Sequence, residues 1–328
     1  MTTASAAPPR LVRFLFRLVA MLPLRSVHAL GAVLARVAFA LSARERHRLD
    51  ENLKRAGYHD LGIRRAAIAE AGKTVLEMPW LWARPPQEVV RLVRSVEGEA
   101  CVRQAQAEGK GIIYLTPHLG CFEVAAQFAA AHAPITAMYR PPRQGMLEPL
   151  LRAGRGRGGV QLATADMSGV MKLLKALRNG QWVGILPDQV PSRGEGEWVE
   201  FFGHPAYTMT LAPRLQKTTG AVVVLAFCER LPRGQGYRIH LERLPPSMPG
   251  ESPARHVNRA LEALIRRCPE QYLWSYNRYK VPRGVAPPQE HSHLPPPPGA
   301  GGQTAHLSQQ GAGDRQPDGS LSRSGGSR

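Results

Sequence analysis

The chain has 328 residues, of which 43% are apolar and 21% are charged, a composition that excludes collagen-like, fibrous and wholly disordered proteins. Its 43 Lys and Arg outnumber its 25 Asp and Glu and give a net charge of +18. This charge favours a polyanionic partner: nucleic acid, an anionic membrane surface or an acidic protein. The four cysteines lie far apart, so they predict neither a disulfide framework nor a zinc cluster, and they fit a reducing cytoplasm.

Residues 10–43 predict two amphipathic helices that are separated at Pro23. Each helix combines a wide apolar face with a narrow cationic stripe, formed by Arg10, Arg13 and Arg17 in the first helix and by Arg25, His28 and Arg36 in the second. We expect these helices to lie in a membrane interface, with the arginine side chains reaching toward lipid phosphates. No signal peptide is predicted, and because basic residues interrupt the stretch, the sequence leaves open whether the helices are peripheral or form a single N-terminal anchor. The alternative is that both helices pack on the domain that follows.

The pattern of residues 44–100 is helical, and it changes after Gly109. Short apolar, β-branched runs predict strands at 111–115, 135–139, 160–163, 182–186, 221–228 and 237–241. Helices are predicted at 122–131, 146–153, 168–178, 208–217 and 253–267. This alternation predicts an α/β fold with a central, mostly parallel sheet and flanking helices.

The composition divides the chain into three regions. Membrane-associated helices are predicted at 1–43, and a folded domain at 44–283, of which 44–100 is helical and 101–283 is α/β. The last 45 residues, 284–328, contain 16 Pro or Gly and almost no large apolar side chains, so they are predicted to be disordered. The three arginines of this tail cancel its three acids, so the charge of +18 belongs to residues 1–283.

The first candidate site follows the strand at 111–115. Pro117 favours an extended chain before it, so His118 lies at the carboxyl end of a strand, where open α/β sheets bind their ligands. Glu123 falls in the first turn of the next helix, and its side chain can converge with a His118 that precedes that helix. A carboxylate on one ring nitrogen makes the other nitrogen a general base for an alcohol. The alternative is a surface histidine beside a helix-capping acid.

Six short blocks accompany this motif in order: His118-x4-Glu123, Tyr139-Arg140, Arg155-Gly156-Arg157-Gly158, Pro187-Asp188-Gln189, Phe201-Phe202-Gly203 and Gln271-Tyr272-Leu273-Trp274. Together they resemble the bacterial lipid A biosynthesis acyltransferases, the late lauroyl and myristoyl transferases, over about residues 10–284. The resemblance implies a fold of the glycerophosphate-acyltransferase type, with 44–283 as the acyltransferase domain. It also implies transfer of a fatty acyl chain from an acyl carrier protein thioester to a hydroxyl of a lipid A precursor. In these terms His118 is the general base and Glu123 orients it, without a metal or another cofactor.

The resemblance also implies a place and partners. The enzyme acts at the cytoplasmic face of the cell inner membrane, with the acidic acyl carrier protein, the lipid acceptor and the anionic membrane surface as partners of the basic chain. A lysophospholipid or an ornithine-type lipid is an alternative acceptor, because a His and Glu pair beside a basic groove does not distinguish them.

Attack on a thioester creates an oxyanion that needs preorganised donors. Backbone N–H groups near Gly120 or the Arg140 guanidinium could supply them, and Arg140 could equally contact a phosphate. Arg155 and Arg157 lie among glycines and could bind a phosphate of the acceptor or of the carrier, or form a solvated basic loop. Asp188 follows another predicted strand and has either a role in the site or a role in capping its turn.

Other chemistries fit the sequence less well. Residues 154–159 satisfy G-x-G-x-x-G, but they follow a helix-like segment and no acid lies about 20 residues further on. The chain has no G-x-S-x-G elbow, and Cys121 is predicted to be a small buried residue rather than a nucleophile. A basic nucleic-acid-binding protein is the alternative from another class, although no nucleic-acid-binding motif is present.

Overall fold

The computed structural model describes residues 10–142, 145 and 148–288, with side chains from Phe14 onward. Its helices are α1 (Arg10–Met21), α2 (Leu24–Leu41), α3 (Ala43–Arg55), α4 (Leu61–Trp82), α5 (Pro86–Arg91), α6 (Glu99–Ala107), α7 (Phe122–Ala130), α8 (Glu148–Arg155), α9 (Met167–Arg178), α10 (Leu211–Thr219) and α11 (Pro253–Arg267). Its strands are β1 (Val93–Glu97), β2 (Ile112–Leu115), β3 (Ile135–Tyr139), β4 (Gln161–Thr164), β5 (Trp182–Ile185), β6 (Gly196–Phe201), β7 (His204–Met209), β8 (Val222–Arg230) and β9 (Tyr237–Arg243). The predicted tail lies outside the described residues from position 289 onward.

Seven strands form one sheet in the order β1-β9-β8-β2-β5-β3-β4. All neighbours pair in parallel except β8 and β9, which are antiparallel. Strand β2 is buried along its whole length because it is central and has helices on both faces, as the apolar run of this strand requires. The predicted α/β class with a mostly parallel sheet is therefore confirmed.

Strands β6 and β7 form a separate antiparallel hairpin that the sequence analysis did not predict. The predicted helix at 208–217 overlaps the end of β7, and the observed helix α10 begins only at Leu211. The hairpin turns at Phe202 and Gly203, which both have positive φ, of 50° and 74°. Two consecutive residues with positive φ are typical of the two-residue turns whose twist matches that of a β-hairpin.

Strand β1 lies inside the region that was predicted to be helical. Its residues are mostly exposed or half-buried, since it is the edge strand and pairs only with β9. A short, half-polar edge strand lacks the apolar run that identified the central strands.

The N-terminal region forms two helices that are separated at Pro23, as predicted. Helix α2 packs along α4, where Gly31 and Gly72 let the two backbones approach closely: a Cβ on Gly31 would lie 2.6 Å from the carbonyl oxygen of Gly72. By length and composition α2 could cross a membrane, although Arg25 and Arg36 interrupt it. Helix α2 is therefore a candidate for the single N-terminal anchor that the sequence analysis left open beside a peripheral arrangement.

Candidate active site

Two adjacent strands bring His118 and Asp188 together. Strands β2 and β5 pair in parallel with Leu115 opposite Ile185, and the two functional residues each lie three positions further along the chain. Both segments contain a proline immediately before the polar residue, which favours an extended path off the sheet. As a result, Nδ1 of His118 lies 2.8 Å from Oδ1 of Asp188, and the backbone N–H of His118 donates to Oδ2 at 2.9 Å.

The hydrogen bonds of this pair define the tautomer of His118. Burial raises the pKa of Asp188, but the charge and hydrogen bonds of His118 outweigh burial and hold the pKa below its usual value. The ionised carboxylate accepts only, so Nδ1 carries the proton and Nε2 presents its lone pair. The side-chain amide nitrogen of Gln189 lies 3.2 Å from Nε2, in position to donate to that lone pair. This is the arrangement of a general base that is oriented by a carboxylate.

Glu123 has different partners. Its Oε1 accepts from Nε of Arg155 at 2.7 Å, and its Oε2 accepts from the indole N–H of Trp82 at 3.2 Å. The prediction that Glu123 bonds to the His118 ring is therefore wrong, because α7 starts at Phe122 and directs this carboxylate toward α4 and α8. The carboxylate on the ring comes instead from the neighbouring strand.

A cavity of about 550 Å³ opens at this edge of the sheet. It brings together four of the predicted residues, His118, Glu123, Arg140 and Arg155, and Asp188 lies behind His118. The walls between these polar groups are largely apolar and come from β3, α7, α9 and α10.

A second cavity of about 260 Å³ lies next to the first; its walls are mostly apolar, and Glu99, Arg103, Gln106 and His132 also line it. The two cavities share the side chains of Phe122, Ala126, Ala137 and Leu186.

Two predicted residues do not face the main cavity. The backbone N–H of Gly120 donates to the carbonyl of Gln271 at 3.1 Å, so it is not available to an oxyanion. Gly120 has a φ of +61°, and a Cβ there would lie 2.0 Å from the carbonyl oxygen of Cys228, so this glycine serves a tight turn. Arg157 donates to the backbone carbonyl of Trp82 rather than facing the cavity.

Other backbone donors lie close by. The N–H groups of Phe122 and Glu123 open α7, where a helix has no internal acceptors for them, and neither bonds to another described residue. Both residues line the main cavity, and their N–H groups lie at the helix opening near Gly120 where the sequence analysis looked for donors.

The block at 271–274 supports the turn that carries His118. The N–H of Leu273 donates to the carbonyl of His118 at 3.0 Å, and Tyr272 pairs with Leu119. Burial and the nearby Asp188 carboxylate raise the pKa of the Tyr272 hydroxyl, so it stays protonated. Burial likewise raises the pKa of the Cys121 thiol, which argues against a nucleophilic thiolate.

The sequence matches the bacterial lipid A biosynthesis acyltransferases over residues 7–281, which is most of the chain. The chain belongs to this family. It is therefore an O-acyltransferase, and the residues around the cavity can be examined for that chemistry.

Individual relatives support the assignment. This acyltransferase is similar to the lipid A biosynthesis lauroyltransferase of Escherichia coli (strain K12), with 27% identity over 279 residues, covering 82% of this chain and 90% of the relative. Its identity to the palmitoleoyltransferase of the same organism is 28% over 246 residues, covering 73% of this chain and 74% of the relative. Its identity to the myristoyltransferase is 25% over 236 residues, covering 70% and 72%. The three relatives are named for different acyl chains.

The sequence analysis missed the partnership of His118 with Asp188, although a signal for it exists. Leu115-Thr116-Pro117-His118 and Ile185-Leu186-Pro187-Asp188 have the same form: the end of an apolar strand, one further residue, proline and a titratable group. Two such endings would meet only on neighbouring strands, and the order of strands in the sheet was not predicted. Trp82 and Arg214, which contact or line the site of this acyltransferase, carried no signal in the sequence.

Proposed function

We propose that this protein transfers a fatty acyl chain from an acyl carrier protein thioester to a hydroxyl of a lipid A precursor. The observation that carries the proposal is the His118–Asp188 pair, in which Asp188 holds Nδ1 and leaves Nε2 to accept, with Gln189 as its neighbour, and His118 lines a cavity with largely apolar walls. In this proposal His118 is the general base. Asp188, rather than Glu123, orients its ring.

The His118–Asp188 pair alone accounts for both proton transfers of the reaction. Nε2 of His118 accepts the proton of the acceptor hydroxyl while the hydroxyl oxygen attacks the thioester carbonyl carbon. The tetrahedral intermediate collapses with cleavage of the carbon–sulfur bond, and the departing sulfur takes the proton from His118. Asp188 stabilises the imidazolium that exists between these two steps.

The oxyanion of the intermediate requires donors that are already in position. The N–H groups of Phe122 and Glu123 meet this requirement best, since they have no partner among the described residues and belong to residues that line the same cavity as His118. Glu123 also holds the Arg155 guanidinium at 2.7 Å, so its function in this proposal is to position Arg155 along the cavity wall.

The apolar surfaces and the charge of the protein suit the substrates. The second cavity continues past Phe122 from the catalytic pair and is apolar enough for a fatty acyl chain. Helices α1 and α2 expose the large apolar side chains Phe14, Leu15, Leu18, Met21, Val33, Leu34, Val37 and Leu41. In our proposal this face binds the cytoplasmic side of the inner membrane, and basic surface attracts both anionic lipid and the acidic carrier protein.

The test is acyl transfer by the purified protein from acyl-carrier protein to a lipid A precursor, with the product identified by mass spectrometry. His118→Ala should lower kcat by about 10²- to 10⁴-fold, because it removes the general base. His59→Ala is the matched control: His59 is exposed and does not line the cavity, so this variant should keep the wild-type rate.

Two results would change the proposal. Near-normal turnover by a folded His118→Ala variant would refute the role of His118. Product formed only with a lysophospholipid or an ornithine-type lipid would instead correct the acceptor and leave the chemistry in place.

A further inference from the structure

Charged side chains of both signs line the cavity beside His118. Three arginines line it, Arg140, Arg155 and Arg214, together with three acids, Glu123, Asp166 and Glu195. The number of charges of each sign is equal, so the partner of each acid determines whether any cation is left for a ligand.

All three acids already have other partners. Glu123 binds Arg155 and Trp82, as described above. Asp166 caps α9 by accepting from the N–H of Gly169 at 2.9 Å and from the hydroxyl of Ser168 at 2.8 Å. Hydrogen bonds from the Thr164 side chain, the N–H of Gly169 and the Ser168 hydroxyl lower the pKa of Asp166 to about 2.

Glu195 accepts from the backbone N–H of Ser192 at 3.1 Å. In the part of the chain that the structure describes, neither the Arg140 nor the Arg214 guanidinium has an ion pair or a side-chain hydrogen bond. Two unpaired guanidinium groups therefore line one cavity.

The order of strands and helices determines where Arg140 and Arg214 lie relative to His118. Arg140 directly follows β3, which neighbours β5, which in turn neighbours β2, the strand that leads to His118. Two strand spacings separate the strand ends by about 10 Å. Arg214 lies in the first turns of α10, a helix that forms another wall of the cavity.

We propose that Arg140 and Arg214 form an anion subsite that binds a phosphate group of a substrate in the cavity that His118 also lines. Guanidinium groups present paired N–H donors that match phosphate oxygens, and an unpaired arginine loses no existing contact when a phosphate arrives. The inference rests on the proposed function and adds to it the group that positions the substrate. The phosphate belongs either to the lipid acceptor or to the phosphopantetheine arm of the carrier protein.

The experiment compares Arg140→Gln and Arg214→Gln with the matched control Arg178→Gln, since Arg178 is exposed and does not line the cavity. With a phosphorylated acceptor and acyl-carrier protein, each cavity variant should lose about 10- to 100-fold in kcat/KM, as expected when one charge-assisted hydrogen bond is removed. Most of the loss should fall on KM. The control should match the wild type.

Two substrate arms distinguish the sources of the phosphate. If the acceptor supplies it, the loss disappears with a dephosphorylated acceptor. If the carrier supplies it, the loss disappears with an acyl-N-acetylcysteamine thioester, which has no phosphate. A loss of equal size in every arm, or no loss in any arm, would overturn the inference.

Binding of dodecyl phosphate, followed by calorimetry with the full chain, gives a test that needs no turnover. The wild type and Arg178→Gln should bind it at least about tenfold more tightly than either cavity variant, and dodecyl maltoside should bind all four proteins alike. Equal binding of dodecyl phosphate by all four proteins would refute the subsite even if the acyl transfer reaction is active. Conversely, weaker phosphate binding by the variants would support the subsite even if the lipid A precursor proves to be the wrong acceptor.

Discussion

Replacing Asp188 by Asn separates the contribution of its charge from that of its shape. The carboxylate accepts from Nδ1 of His118 at 2.8 Å and from the backbone N–H of the same residue at 2.9 Å. An amide has one acceptor oxygen and one donor nitrogen, so it cannot satisfy both contacts as the carboxylate does. If its nitrogen faces the ring, the proton of His118 moves to Nε2, and the lone pair that the reaction needs is lost.

The expected loss follows from these two effects. Removing a charge-assisted hydrogen bond costs about 1.5–3 kcal/mol, which corresponds to about 10- to 150-fold in rate. Where the wrong tautomer forms as well, the loss approaches about 10⁴-fold, as for the aspartate of a Ser-His-Asp triad. We therefore expect kcat to fall by about 10²- to 10⁴-fold while the KM for the acceptor stays within about twofold, because Asp188 lies behind His118.

The assay is steady-state acyl transfer by Asp188→Asn, compared with Glu123→Gln, and thermal unfolding shows whether each variant is folded. Glu123→Gln keeps the His118 pair and should lower kcat less than Asp188→Asn does. The reasoning would be refuted if folded Asp188→Asn kept its kcat within about threefold of the wild type while Glu123→Gln lost more than about 100-fold. That result would assign the orientation of the base to Glu123.

Two further predictions concern the N-terminal helices and the buried charges. Replacing the exposed residues Val33, Val37 and Leu41 together by Ser should move the protein from the membrane fraction to the soluble fraction in sedimentation, since their face of α2 does not pack on α4; unchanged sedimentation would contradict a membrane-binding face. Burial raises the pKa of Glu77, but Arg230 and His28 outweigh burial and lower this pKa from 4.5 to about 2. Ionised Glu77 therefore stabilises the fold above about pH 5. This contribution, on the order of 3 kcal/mol, is lost as the pH falls toward 2. Glu77→Gln should therefore unfold more easily than the wild type at pH 7, and the gap in the free energy of unfolding should narrow by pH 3; a constant gap would contradict the reasoning.

The central strands were predictable because they are buried on both sides and read as continuous apolar runs. The predicted strand at 111–115 corresponds to β2, and the one at 182–186 corresponds to β5, each within one residue. The hairpin β6–β7 and the edge strand β1 were missed, since their residues are partly exposed and mix polar with apolar types. Burial on one side only leaves a pattern that a short window does not distinguish from a loop or a helix.

The site was only partly predictable, for a different reason. The position of His118 at a strand end followed from Pro117 and the apolar run before it. Its partner did not, because sequence spacing favours the nearby Glu123, whereas Asp188 is 70 residues away and reaches the ring through the pairing of β2 with β5. Local spacing predicts which groups can meet along a helix, but strand order decides which groups meet at the edge of a sheet.

Helix α4 connects the N-terminal helices to both ends of the turn between His118 and Glu123. Glu77, near the end of α4, accepts from Nε of the buried Arg230 at 2.8 Å. The same guanidinium donates at 2.9 Å to the carbonyl of Gly120, two residues after His118. This ion pair therefore fixes the first end of the turn from inside the protein.

Trp82, the last residue of α4, fixes the second end by donating its indole N–H to Glu123. On its other side the ring centroid of Trp82 lies 6.5 Å from that of Phe16 in α1. The helix that holds the apolar N-terminal helices in place is thus also the helix that holds the turn between His118 and Glu123. A membrane bound to α1 and α2 would therefore be held at a fixed distance from the turn that carries His118.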